Sequence, residues 1–443
     1  MFSRVFYHAL FFICLFPITL YALPSEPRVP EPDVAIAAIG DDSALRAELD
    51  GTIFRLTPRN ALAFKPERRI LLDGSKVEIR VEQGNGEFMT VLARQGDGSF
   101  PSWSQGTWVL YRSLSTGERT RIRFFPRSDP YCYLQFRPDG QDRTLLDAIA
   151  YEGYVSRSIV LPLDLDRVVI EPLNRVLMPA IDTFPRRYFE PRPEYYTDIR
   201  VLSEAIRSRL GALVYADDGA LDENGLPVFI ESGSPQTAAF GLNCSGFAKW
   251  VVDGMLRPLT GRRLPLAPLK QPPLPRGNTF SKPWEALRDP YFGLDWTRNL
   301  AAEAGRVFRG ERGADPKEYE VKRTAIAALR TSGGSGIISR SYPGYIEDAG
   351  FEIRGLKAVL YTLAIDEPGT MYLASVNNEI GTAPRLRQHY HVAVLLPQFD
   401  TGGRFSIGVF ESAVESKFDS FIKRYPGHAV HLTRIPVESN FDP

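Results

Sequence analysis

One segment constrains this 443-residue chain more than any other: Gly241-Leu242-Asn243-Cys244-Ser245-Gly246-Phe247-Ala248-Lys249-Trp250-Val251-Val252-Asp253-Gly254-Met255-Leu256. Phe247, Val251 and Met255, with Ala248 and Val252 beside them, recur at helical spacing, which predicts a helix buried along that stripe and opened by Cys244. A thiol at a helix N-terminus sits where the dipole favours thiolate, the attacking form. The unpaired N–H groups of the first turn can also hold a developing oxyanion. A free cysteine is often only a packed core thiol; the helix-start position and the adjacent Ser-Gly argue for chemistry at Cys244.

A cysteine nucleophile needs a base. Beyond His8 the histidines are His389, His391, His428 and His431. Arg387-Gln388-His389-Tyr390-His391-Val392-Ala393-Val394-Leu395-Leu396-Pro397 has strand character, and simple alternation puts His389 and His391 on the same face, so either can reach a shared cleft. After Gly402-Gly403, the stretch from Arg404 to Ser412 reads as the neighbouring hairpin strand, and its Glu411 can accept the second ring N–H of the base and fix its tautomer. His428 and His431 make a poor metal site without a third ligand. Ser332-Gly333-Gly334-Ser335-Gly336 lacks the Lys and Ser/Thr of a phosphate-binding loop and reads as a flexible loop. No metal or other cofactor is called for.

At Asn243-Cys244-Ser245-Gly246-Phe247 the chain resembles the NlpC-like cell-wall cysteine peptidases, whose signature is Asp-Cys-Ser-Gly followed by an aliphatic or aromatic residue. Leu210-Gly211-Ala212-Leu213-Val214-Tyr215 resembles that family's Gly-x-x-Tyr segment after its first helix. Asp366-Glu367-Pro368-Gly369-Thr370-Met371-Tyr372-Leu373 resembles its Pro-Gly-Asp-Leu strand start, and His391-Val392-Ala393-Val394 its His-Val-Gly-Ile strand. The resemblance implies a papain-like α+β fold, helices packed on an antiparallel sheet, over about residues 194–420. It makes Cys244 the nucleophile and His391, rather than His389, the base. Glu411 resembles the strand glutamate of the related CHAP amidases, and Tyr215, Ser245 and His389 become supporting or substrate-facing residues. Asn243 departs from the family's Asp, and both the stretch from Tyr215 to Cys244 and that from Cys244 to His391 are longer than the family's.

The remaining organisation follows from composition and punctuation. Arg4 and the apolar run from Ala9 to Ala22 have the form of a signal peptide over residues 1–23, with an uncleaved anchor as the alternative. Residues 24–40, rich in proline, read as a linker. From there to about residue 140, within one domain over 41–190, short alternating strands dominate: Val77, Ile79 and Val81; Trp108 and Leu110; Ile122 and Phe124; Cys132, Leu134 and Phe136. They predict a β-rich N-terminal domain, a small sandwich or barrel, in which Cys132 is a packed core thiol and no residue stands out as a site. The prolines at 185, 191 and 193 mark a boundary, after which residues 191–443 form the second domain. Ile199, Leu202, Ile206 and Leu210 predict an amphipathic helix from Thr197 or Asp198 to Gly211. A Pro-rich stretch after 256 and helical patterns near 297–309 and 316–330 read as a large insertion at about 257–350.

Lys plus Arg equals Asp plus Glu at 53 each, so no overall field draws the chain to nucleic acid or an anionic membrane. No integral span is expected in the mature chain, and disulfides are not expected to carry its stability. The expectation is an exported hydrolase of the periplasm or cell envelope. Through a Cys244 acyl-enzyme it would cleave an amide bond which, by the resemblance, lies in peptidoglycan stem peptides. The alternatives are a cysteine acyltransferase or amidase on another envelope substrate, and an inactive envelope-binding module. Oligomeric state stays open.

Overall fold

A computed structural model describes residues 33–40, 42–237, 240–273, 290–310, 315–322, 344–380 and 386–443. The apolar run at the N-terminus, the Gly-rich piece at 332–336 and most of the helical pattern at 316–330 lie outside the described residues. The architecture is α+β, built on an eight-stranded and a seven-stranded antiparallel sheet, with a small two-stranded hairpin between them. Among the described residues no helix is long and apolar enough to cross a membrane.

After helix α1 (Ser43–Asp50), the first sheet is a meander in which each strand pairs with its sequence neighbour: β1 (Glu67–Ile70), β2 (Lys76–Gln83), β3 (Glu87–Arg94), β4 (Trp108–Ser113), β5 (Arg119–Phe124), β6 (Cys132–Pro138), β7 (Thr144–Ala150) and β8 (Gly153–Leu161). The alternation legible in the sequence becomes its inner face, where Val77, Ile79, Leu110, Ile122, Phe124, Leu134 and Phe136 are buried in the main core. Cys132 lies fully inside that face, and burial pushes its thiol up. The sheet is one continuous ladder from β1 to β8 rather than the two facing sheets of a sandwich. A short helix α2 (Leu165–Ile170) follows it.

Two expectations are corrected in this half. Residues 33–39 are not a free linker: Asp33 accepts from the Ser128 N–H (2.9 Å) and hydroxyl (2.7 Å), Val34 exchanges two hydrogen bonds with the Gln105 amide, and the Ile36 N–H donates to Glu190 (2.7 Å). Side chains far along the chain supply these partners, so composition alone could not reveal them. The boundary expected at the prolines 185, 191 and 193 also does not separate two cores, since the two halves share one. Tyr151, Tyr361, Phe399 and Phe405 pack ring against ring, and buried Arg127 donates to the Tyr361 hydroxyl (3.2 Å) and the Gly403 carbonyl.

In the second half, α3 (Thr197–Leu210) buries Ile199, Leu202 and Ile206, the stripe its spacing predicts, and ends at Gly211. The hairpin β9 (Gly219–Leu221) and β10 (Pro227–Phe229) precedes α4 (Cys244–Thr260), and α5 (Phe292–Arg309) follows. The seven-stranded sheet comprises β11 (Tyr345–Ile346), β12 (Gly350–Glu352), β13 (Thr370–Ile380), β14 (Leu386–Phe399), β15 (Phe405–Glu411), β16 (Val414–Ser416) and β17 (Ala429–Pro436), ordered β11-β12-β17-β13-β14-β15-β16. One face, with Leu373, Val392, Val394 and Phe410, packs on α4 and α5. The other, with Tyr372, Ala374, Ala393, Leu395 and Val409, packs on α6 (Leu356–Asp366) and α7 (Phe418–Arg424). Helix α5, read from sequence as part of an insertion, belongs to the core: Trp296, Leu300, Ala301 and Ala304 are fully buried. Burial of Leu300 alone contributes about 1.5–3 kcal/mol by its removal from water.

Candidate active site

Helix α4 begins at Cys244 because Asn243 caps it: the Asn243 side chain accepts from the Gly246 N–H at 2.8 Å. Asn and Asp cap equally well, so the departure from the family's Asp keeps the helix start intact. The Phe247 N–H donates to the Asn243 carbonyl, which leaves the N–H groups of Cys244 and Ser245 for a ligand. Gly246 is required by close approach, since a Cβ there would stand 2.0 Å from the Gly219 carbonyl oxygen of β9. Ser245 is buried; its hydroxyl lies 4.0 Å from the Cys244 sulfur, and its carbonyl accepts from the Trp296 indole at 2.9 Å. Tyr215 bridges to Leu242 in a short parallel contact. More than half exposed, it stands on the rim close enough for Cys244 to act on its phenol electrostatically.

Across from Cys244 stands His391 on β14. Its Nε2 meets Glu411 Oε2 at 2.6 Å, which leaves Nδ1 as the ring nitrogen for the thiol. Burial opposes charge on each of these groups, yet their mutual interactions win. Burial raises the Cys244 thiol, but hydrogen bonding and charge from His391, with the Val392 N–H and the Ser245 hydroxyl, bring it below its ordinary value. Burial lowers His391, but Cys244 and Glu411 hold it up at about 9. Burial raises Glu411, but His391, Ser416 and Arg424 bring it down to about 2. The shifts of Cys244 and His391 thus both run toward a thiolate–imidazolium pair, with Glu411 held as the carboxylate beside it.

The second oxygen of Glu411 is held by groups that the sequence did not single out. Oε1 accepts from the Ser416 hydroxyl at 2.7 Å and from Arg424 Nη1 at 2.5 Å, while Tyr425 stacks on the His391 ring at 5.6 Å. Arg424 and Tyr425 lie at the end of α7, and only the packing of α7 on the sheet brings them to the site. An acidic strand residue followed closely by a Ser and an Arg-Tyr pair was the available signal, and it is too common to have been read.

His389 does not join this cluster, and the expected shared face is corrected. The β13–β14 register shifts between Val376 and Asn377: Val376 pairs with His391, and Asn377 with His389. Tyr390 is the extra residue of a β-bulge, so histidines two apart point to opposite faces. His389 is turned toward α5, where its Nδ1 meets the Ser375 hydroxyl at 2.9 Å and its ring stacks on Tyr291 at 6.0 Å. His431 is fully buried, with Nε2 3.7 Å from Glu320, and His428 lies beside Tyr390 and Tyr425. The one carboxylate triad compact enough for a metal among the described residues is Glu320, Glu347 and Asp348. Arg298 already stands in it, 2.6 Å from Glu320 and 2.5 Å from Asp348, supplying the positive charge.

A family described as a domain of unknown function (DUF8515) matches residues 35–188, the stretch that contains the eight-stranded sheet. No curated protein matches the chain. No solved structure matches it.

Proposed function

We propose that residues 191–443 form a papain-like cysteine hydrolase that cleaves an amide bond through an acyl-enzyme. The observation that carries the reading is the alignment of three groups: a cysteine at a helix start, a histidine on the facing strand, and a buried carboxylate on that histidine's far nitrogen. The Cys244 thiolate attacks the carbonyl carbon, and the oxyanion develops against the Cys244 and Ser245 N–H groups. His391 gives its proton to the leaving amine and then takes one from the water that hydrolyses the thioester. Glu411 keeps the ring oriented and charged. The likeness to NlpC-like peptidases makes peptidoglycan stem peptides the substrate class, and the signal-like N-terminus makes the periplasm or cell envelope its place.

The test is hydrolysis of purified stem peptides by the full chain and by Cys244→Ala, with product analysis to separate transfer to water from transfer to an amine. Cleavage that disappears with Cys244→Ala supports the reading; cleavage that persists removes Cys244 from the mechanism.

A further inference from the structure

The eight-stranded half has a feature that no motif announces. A cavity of about 540 Å³ opens between β4, β5, the β6–β7 hairpin and the start of α2. Arg112 of β4 lines it and is all but buried, its guanidinium carbon 4.9 Å from the Phe88 ring centre. Its Nε donates to the Gly117 carbonyl at 2.8 Å, but Nη1 is buried without a hydrogen-bond partner. The two other arginines of the wall are satisfied: Arg55 pairs with Asp50 at 3.0 Å, and Arg119 with Asp50 and Asp166. Arg112 alone has no carboxylate partner among the described residues, and burial together with the positive charges of Arg119 and Arg55 makes its own charge harder to hold.

A buried guanidinium without a counter-ion is costly, and its fork of parallel N–H donors matches an oxyanion. We propose that this cavity binds a small carboxylate, with Arg112 as the anchor. A singly charged group fits better than a phosphate dianion, because Glu118, Asp164 and Asp166 stand around the same cavity and repel a second negative charge. The site lies within the segment that matches the family of unknown function and owes nothing to Cys244. It assigns the first half a recognition role.

Thermal melting of the full chain at neutral pH, with sodium propionate, inorganic phosphate or chloride at equal ionic strength, tests this. Propionate is expected to raise the melting temperature saturably and more than chloride or phosphate does. Arg112→Met should abolish that rise while leaving the anion-free melting temperature equal or higher, since an unpaired buried charge has gone. Equal propionate shifts in wild type and Arg112→Met, or no saturable shift in wild type, overturn the site; a larger shift with phosphate overturns the carboxylate assignment. Should Arg112→Met fail to fold, Gln141→Glu on the exposed rim decides: a weakened propionate midpoint supports the pocket, and an unchanged midpoint overturns it.

Discussion

His389 and His391 stand two residues apart on one strand, yet the molecule uses them in opposite ways. His391 faces a thiol on one side and a carboxylate on the other, and the two anions hold its proton to about pH 9. His389 faces a serine hydroxyl and a tyrosine ring; burial first, then the charges of His431, Arg298 and Arg387, drive its pKa well below the ordinary value. The backbone device that separates them is a single bulged residue, Tyr390. A histidine's chemistry is thus set by what faces its two nitrogens, and one inserted residue suffices to exchange those partners.

The largest expected effect separates the two histidines directly. On the proposed reading, Cys244→Ala removes hydrolysis by a factor on the order of 10⁴–10⁶, as loss of a covalent nucleophile does. His391→Ala returns the Cys244 thiol toward its free value of about 8.5. His389→Ala leaves the pH dependence of Cys244 alkylation where it was. Iodoacetamide rates across pH, with Cys132→Ser as common background, measure this; a shift on losing His389 equal to that on losing His391 would erase the contrast.

Glu411→Gln is expected to come next. The amide still occupies the site but no longer stabilises an imidazolium, so hydrolysis drops by roughly 10²–10⁴ and the His391 pKa falls from about 9 toward its ordinary value. Histidine NMR titration reads that fall independently of any substrate. A His391 titration unchanged by the substitution would make the 2.6 Å contact a packing contact only.

Much of this site was legible in the sequence, for physical reasons that also mark where legibility ends. The α4 stripe and the β14–β15 hairpin are local patterns, so Cys244, the pair His389 and His391, and Glu411 could be singled out from spacing and turn signals, whereas the choice of His391 within the pair came from the resemblance to NlpC-like peptidases. The bulge at Tyr390 could not: a strand carrying one extra residue reads like one without it, and the register is set by pairing with Val376 and Asn377 of the neighbouring strand β13. Arg424 and Tyr425 escaped because their position depends on how α7 docks, and Ser416 because it reaches Glu411 from β16 through the β15–β16 pairing. Arg112 escaped for a related reason: it looks like any strand arginine until burial and the absence of an acid partner are known. The strap at residues 33–39 reads as linker because its partners lie on distant loops.

A smaller effect is expected when the support of Glu411 is loosened. Arg424 is nearly half exposed, so water replaces part of what it supplies, and Arg424→Met should cost about tenfold in hydrolysis. Ser416→Ala should cost less, because the arginine still holds Oε1. Both should lower the His391 pKa in the same order, whereas a purely structural role for α7 would alter melting without moving that titration.

The smallest effect, and the one that tests the contrast without substrate, is the pH dependence of folding. The His391 pKa is raised by folding, so its contribution to stability is complete below the unfolded value of about 6.5 and is lost as pH rises through about 9. The Glu411 pKa is depressed, so its contribution is present above about 4.5 and disappears as pH falls through about 2. His389 and His431 have their pKa values lowered by burial, so below about 6.5 the unfolded chain takes up protons that the folded one refuses, and stability falls on the acid side. Urea unfolding of Cys244→Ser between pH 5 and pH 9.5, where the depressed pKa of the thiol no longer offsets the raised one of the imidazole, should therefore show two flanks of different origin. His389→Gln should reduce the acid flank alone, His431 keeping the remainder, and His391→Gln should flatten the alkaline flank alone. A single substitution that flattened both would mean that the two faces of β14 titrate as one network, and the bulge would not insulate them.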